Sequence, residues 1–222
     1  QTASPRRFRR FASEGTARLA VGFEAMHYFV GGTEFVQPDS ASAYSRAEFD
    51  TLFTFRDQVT PGQALNIRPR LDFPVDEWTV INHSANGFRL GRHHAGQRIA
   101  HSQLLAICPH DGERFLLGQA SWLMQESSGE LVVGVSVLPG LPEAVGVRHA
   151  PTNAAHADRY VRGFLLPAVP AIRQEGSIVI PSGMYQASGT LEIHANEKTL
   201  LLRMKHVRQR GVDFERVSYE PL

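Results

Sequence analysis

The chain has 222 residues, 42% hydrophobic and 20% charged, which suffices for one generous core or two small ones and excludes a disordered polyelectrolyte. A net charge of +1 excludes a globally basic nucleic-acid binder, so any attraction for an anion has to be local. The single cysteine, Cys108, leaves no intramolecular disulfide and fits a reducing, cytoplasmic setting, and no apolar run approaches the ~20 residues that span a bilayer.

The first local departure from balance is SPRRFRRFASEG, in which Arg6, Arg7, Arg9 and Arg10 surround Phe8 with no acid before Glu14. By itself such a segment is a solvated basic tail. It does not resemble a signal peptide, because no apolar stretch follows the charges. The chain starts at Gln1, as a piece of a longer protein would.

Residues 16–30 alternate at first through Leu19, Val21 and Phe23, and predict a strand that Gly31 and Gly32 end. A less regular region runs on to about Glu77, broken by QPDSAS, TPGQ and RPRLDFPVD. Within it Ser45 and Glu48 have capping-box spacing, and Phe49, Leu52 and Phe53 form a one-sided stripe, which predicts a short helix over 46–59.

From Trp78 the texture changes to short apolar runs, EWTVI, GFRL, SQLLAIC, RFLLGQASWLM and ELVVGVSVL, separated by polar or glycine-bearing turns. This spacing predicts an antiparallel sandwich or small barrel. After PGLPEAVGV, the i,i+4 pairs Tyr160/Phe164 and Val161/Leu165 predict a helix over 153–165, stopped by Pro167. GSIVI, GTLEIHA, TLLLRMKHV and DFERVSYE are strand-like again, with hairpin turns between them. They form either a second small β unit or the closing strands of the first. No internal repeat is visible in the residues.

Little in this pattern nominates catalysis. The ten histidines lack the fixed spacing of a metal site and read as solvated turn residues, so no metal or cofactor is expected. Cys108 follows the apolar LLAI and reads as a buried, inert thiol. There is no G-x-S-x-G elbow, Walker A loop or G-x-G-x-x-G, and the carboxylates are scattered. No catalytic residue is nominated, and the expectation is a protein that is not an enzyme.

The turn in INHSANGFRL is more specific. Asn82, Ser84 and Gly87 form N-x-S-x-x-G between two strand-like runs. Asn offers a donor and an acceptor that match a base edge, and Ser offers a small hydroxyl. Gly permits a positive φ and close backbone approach. These are also default turn residues, and such a match arises by chance on the order of once in ten chains this long. Ahead of the first strand, however, Arg6 and Arg10 have the spacing R-x-x-x-R. Arginine grips phosphate bidentately, bonds the O6/N7 edge of guanine and stacks on purine rings.

The order R-x-x-x-R, strand, then D/N-x-S-x-x-G resembles the PilZ domain family, which binds the bacterial second messenger cyclic di-GMP. RRFRRF is similar to the family's opening, LGQASWL (Gly118, Ala120, Trp122) to its Val-Trp strand, and LVVGVSVL (Gly134, Val135) to its final Gly-Val strand. The resemblance covers residues 4–30 and 78–138. It departs from the family in a large insertion between the motifs and in the tail from about 151.

The resemblance implies a mainly β fold. Residues 1–150 would be an antiparallel PilZ-type β-barrel with a short helical insertion at about 31–75, and 151–222 a helix followed by a smaller C-terminal β-rich unit. It implies that Arg6 and Arg10 clamp guanine and phosphate, assisted by Arg7 or Arg9. Asn82 would meet a guanine edge, Ser84 would contact phosphate or fix the turn, and Gly87 would allow the turn's geometry. The function implied is a cytoplasmic cyclic di-GMP receptor that passes a conformational change to a protein partner. Neither DNA, RNA nor direct membrane insertion is expected. The alternative is a PilZ-like adaptor that does not bind nucleotide.

Overall fold

The computed structural model describes residues 11–12, 15–38, 72–152 and 157–222. The chain folds as two closed antiparallel β-barrels that share a core. A two-residue strand β1 (Phe11–Ala12) precedes the first barrel, whose staves are β2 (Thr16–Val21), β3 (Asp76–Ser84), β4 (Gly87–Arg92), β5 (Leu104–Pro109), β6 (Leu116–Gln125) and β7 (Leu131–Val137). The helix α1 (Phe23–Gly31) lies between β2 and β3 in the chain. The strands pair in the order β2-β5-β6-β7-β4-β3, and β3 pairs back to β2, closing the ring. The second barrel comprises β8 (Glu143–His149), β9 (Val161–Leu166), β10 (Ser177–Pro181), β11 (Thr190–Ala195), β12 (Lys198–Arg210) and β13 (Phe214–Pro221). These close in the order β10-β13-β12-β11-β8-β9.

The apolar runs explain how the barrels fuse. In β5 every residue from Leu104 to Cys108 is buried, because the strand has cores on both faces. Leu105 and Ile107 point into the first barrel with Leu19, Trp78, Leu90 and Val133. Leu104, Ala106 and Cys108 point out of it, into a cluster with Met26 of α1 and with Phe164, Val179 and Phe214 of the second barrel. In β10 the division is mirrored: Val179 joins this shared cluster while Ile178 and Ile180 fill the second barrel. A strand buried on both faces reads as a continuous apolar run, whereas one buried on a single face alternates.

Polar contacts lock the same seam. The backbone N–H of Leu104 donates to Asp213 Oδ1 at 2.9 Å, and burial there pushes the Asp213 carboxyl above its ordinary pKa. Gln119 Nε2 donates to the carbonyls of Ser102 (3.1 Å) and Arg210 (3.0 Å), one from each side.

The structure corrects several expectations. The strand predicted over 16–30 ends at Val21; Gly22, at φ +84°, turns the chain into α1, and Gly32, at φ +75°, caps the helix through its N–H to Tyr28 O. The helix predicted over 153–165 is not formed in its described part, since 161–165 belong to β9. An i,i+4 pair shares a face in a strand as well as in a helix, so the Tyr160/Phe164 spacing could not distinguish them. β8 precedes residue 151 yet is a stave of the second barrel, so we set the start of that unit at Glu143. The helix predicted over 46–59 lies outside the described residues. No described helix is long and apolar enough to cross a membrane.

A repeat invisible in the residues is plain in the strand order. Replacing β2 through β7 by β8 through β13 in sequence maps every pairing of the first barrel onto a pairing of the second. The two barrels have the same connectivity.

α1 is the wedge between them. His27 is buried on it, its Nε2 donating to Val145 O of β8 at 3.0 Å, with Phe35 and Phe164 rings against it and no partner for Nδ1 among the described residues. Burial lowers its pKa from 6.5, and nearby Arg162 lowers it further. Below pH 6.5 the unfolded chain therefore takes up a proton that the folded chain resists. Stability is fully present above pH 6.5 and falls on acidification, by at most about 1.4 kcal/mol per pH unit. Denaturant titrations at pH 7.5 and 5.5 are expected to show this loss in the wild type and a flatter response in His27→Gln, which keeps the donor to Val145.

Candidate functional site

Asn82 and Ser84 sit at the end of β3, and Gly87 opens β4 across the two-residue turn Ala85–Asn86. Trp78 and Val80, at even positions of β3, point into the barrel. Simple alternation would carry Asn82 and Ser84 inward too. The pairing with β4 slips between Val80 and Asn82, however, leaving Ile81 as an extra residue. That bulge reverses the alternation, and Asn82 and Ser84 come to lie opposite Arg89 and Gly87 on the outer surface.

A second bulge in β6 does the same. Ala120 faces the interior, the register slips between Ala120 and Trp122, and Trp122 emerges outside, opposite Gly134. Gly134 is required there: a Cβ on it would fall 2.1 Å from the Trp122 indole nitrogen. The indole thus lies flat against the β7 backbone, with the Arg89 guanidinium 5.9 Å from its ring centre. Arg89 also meets Glu126 at 3.5 Å, a half-exposed pair that does not saturate its donors.

Asn82, Ser84, Gly87, Trp122 and Gly134 line one shallow cavity of about 140 Å³, together with Asn86, Phe88, Ser121, Val135 and Ser136. No side-chain hydrogen bond of Asn82 or Ser84 to a described residue is present, so their polar atoms are available to a ligand. Gly87 serves the geometry in a different way from that expected. It does not adopt positive φ; instead a Cβ would stand 2.5 Å from the Val135 carbonyl oxygen, so glycine lets β4 lie close against β7.

Arg6, Arg7, Arg9 and Arg10 lie outside the described residues. β1, immediately after Arg10, pairs with the motif itself, Phe11 opposite His83 and Ala12 opposite Asn82. Ala12 and Asn82, 70 positions apart in the chain, are thereby paired at one strand end.

Reasoning from residues missed Trp122 and Ser136 as lining of the cavity, and Arg89 beside the Trp122 ring. The signal for Trp122 was the broken period in QASWLM, where Ala120 and Leu123 both face inward. Among the described residues no group of His, Cys, Asp or Glu forms a metal site. Cys108 is buried, its thiol near the Gly112 carbonyl at 3.4 Å.

Residues 145–222, nearly all of the second barrel, match the family described as the FimW C-terminal beta-barrel domain. Across 98% of its length the chain is 21% identical to the cyclic-di-GMP receptor FimW of Pseudomonas aeruginosa. The printed name of this relative accords with the ligand that the motif resemblance implies. The chain spans 42% of the length of that receptor. No solved structure matches the chain.

Two glycine substitutions test the outer-surface geometry. Gly134→Ala is expected to expel the Trp122 indole, read as a red shift in tryptophan emission, because the other tryptophan, Trp78, is only 1% exposed and stays in the core. Gly87→Ala is expected to cost roughly 1–3 kcal/mol in denaturant unfolding by forcing β4 from β7. An unchanged spectrum in the first, or unchanged stability in the second, would contradict the close approaches described.

Proposed function

We propose that the chain is a non-catalytic receptor for cyclic di-GMP, bound on the outer surface of the first barrel between the Asn82–Gly87 turn and the arginine arm. The observation that carries this reading is the pairing of β1 with the motif strand, which ties the arm's end to Asn82 and His83. The kinship with a protein named as a cyclic-di-GMP receptor supports the same ligand. Asn82 presents an amide to a guanine edge, Ser84 a hydroxyl to phosphate or the turn, and Arg6 and Arg10 guanidiniums to phosphate and base, with Arg7 and Arg9 adding charge. Trp122 with Arg89 above it supplies a flat cationic platform on which a purine can stack.

Receptor action follows from the arm. Ordering a basic segment over an anion alters which surface a cytoplasmic partner protein meets. No step of this requires catalysis, a metal or a cofactor.

Calorimetric titration with cyclic di-GMP, against cyclic di-AMP and GTP, is expected to give saturable binding at micromolar affinity or better for the first alone. Arg6→Ala and Arg10→Ala should each weaken binding roughly 10- to 100-fold, the scale of a lost charge-assisted contact, and Ser84→Ala by less. A folded wild-type chain that gives neither heat nor a ligand-dependent rise in Tm would overturn the reading and leave the nucleotide-free adaptor.

A further inference from the structure

A second cleft, of mixed polar and apolar lining, adjoins the motif turn. It has a volume of about 560 Å³ and runs between the barrels. One wall is Ala85, Asn86 and Ser136 of the first barrel; Asn86 and Ser136 also line the motif cavity, so the two spaces are neighbours. The opposite wall carries Gln174, Gln209 and Arg216 of the second barrel.

Arg216 is the anomaly in this wall. It is only 9% exposed, yet it has no carboxylate partner among the described residues. Its Nε donates to Gln209 Oε1 at 3.3 Å and its Nη1 to Ser177 Oγ at 3.4 Å, both long and both to neutral groups. Gln209 in turn donates to Gln119 Oε1 at 2.5 Å, so the guanidinium is positioned by a relay anchored in the first barrel. Nη2 makes no bond to a described residue, and the nearest charge felt is another cation, Arg208. Burial and that like charge both depress the guanidinium's pKa, the mark of a cation held without compensation. A buried charge kept at such cost, positioned by neutral groups in the wall of an open cleft, is the preparation of a site for an anion.

We propose that the cleft between the barrels receives a phosphodiester of the dinucleotide held at the motif turn, with Arg216 as its cation, so that one ligand bridges the two barrels. This rests on the receptor reading above. A ligand with two phosphates and two bases has a second half to place once the turn and arm hold the first. The two spaces adjoin at Asn86 and Ser136, which puts the second barrel next to it.

The test is Arg216→Met, which keeps the aliphatic bulk and removes the charge, with Arg216→Lys as its partner. Cyclic di-GMP affinity, by calorimetry, should fall roughly 10- to 100-fold in Arg216→Met and recover in part in Arg216→Lys. The ligand-free Tm of Arg216→Met should equal or exceed that of the wild type, because an uncompensated buried charge has been removed. Inorganic phosphate alone at millimolar concentration should leave the wild-type Tm unchanged. Wild-type binding with Arg216→Met binding equally well overturns the bridge and leaves the receptor reading intact. The bridge is overturned as well if phosphate alone raises the wild-type Tm but not that of Arg216→Met, since the site then takes a free anion. A lower ligand-free Tm with unchanged affinity assigns Arg216 to structure and removes it from the ligand. Absence of any cyclic di-GMP binding by the wild type overturns both.

Discussion

The structure depends on one shared apolar seam, in which the outward faces of β2 and β5 bury against Phe164, Leu166, Val179 and Phe214 of the other barrel with Met26 wedged between. A closed barrel normally presents its outer face to water and keeps one core. Here Leu104, Ala106 and Cys108 would be an exposed apolar strip on an isolated first barrel, and Phe214 would be one on an isolated second. Burying each against the other removes both, at ~25 cal/mol for every Å² of apolar surface withdrawn from water. The orientation of the barrels, and with it the cleft beside the motif turn, is a consequence of that burial.

How much of this was legible in the residues depended on which rule a segment obeyed. Runs such as LLAIC and SIVI reported strands, and their contiguous apolar residues are those of strands buried on both faces. The motif turn was legible because Asn82, Ser84 and Gly87 carry their chemistry in residue type. What escaped was everything decided by a single backbone step. Gly22 at φ +84° converts an alternating run into α1, and the residues beyond it carried too little 3.6-residue pattern to announce a helix. The bulges at Ile81 and Ser121 have no residue signature, yet they place Asn82, Ser84 and Trp122 outside the barrel. Gly87 was read for conformational freedom, while the structure uses it for a 2.5 Å approach to Val135 O.

Arg216 was illegible for a related reason. In DFERVSYE it is one arginine among alternating polar residues, indistinguishable from Arg203 or Arg208, both of which find carboxylates at the surface. Only the fold shows that β13 turns it toward the other barrel and that no acid accompanies it among the described residues. Charge patterning along a chain reports composition; whether a charge is compensated is a property of the packed state.

The matching connectivity of the barrels gives these observations a common frame. In each, the second and third strands form a corner: the tight Ala85–Asn86 turn in the first, and the longer connection bearing Val169, Ile172 and Gln174 in the second. Both corners face the same cleft. The first corner has the Asn, Ser and Gly chemistry, and the second lacks it. The second barrel instead brings Arg216 from its sixth strand, held by Gln209 from its fifth. Two barrels of one connectivity thus present different groups to a shared cleft, the motif turn at one wall and a cation without a carboxylate partner among the described residues at the other. A fixed seam is what makes such a division workable, because groups on two bodies can meet one ligand only if the bodies hold a constant relation. The shared core fixes that relation in the fold itself, and a ligand that met both walls would be spared the entropy of assembling them.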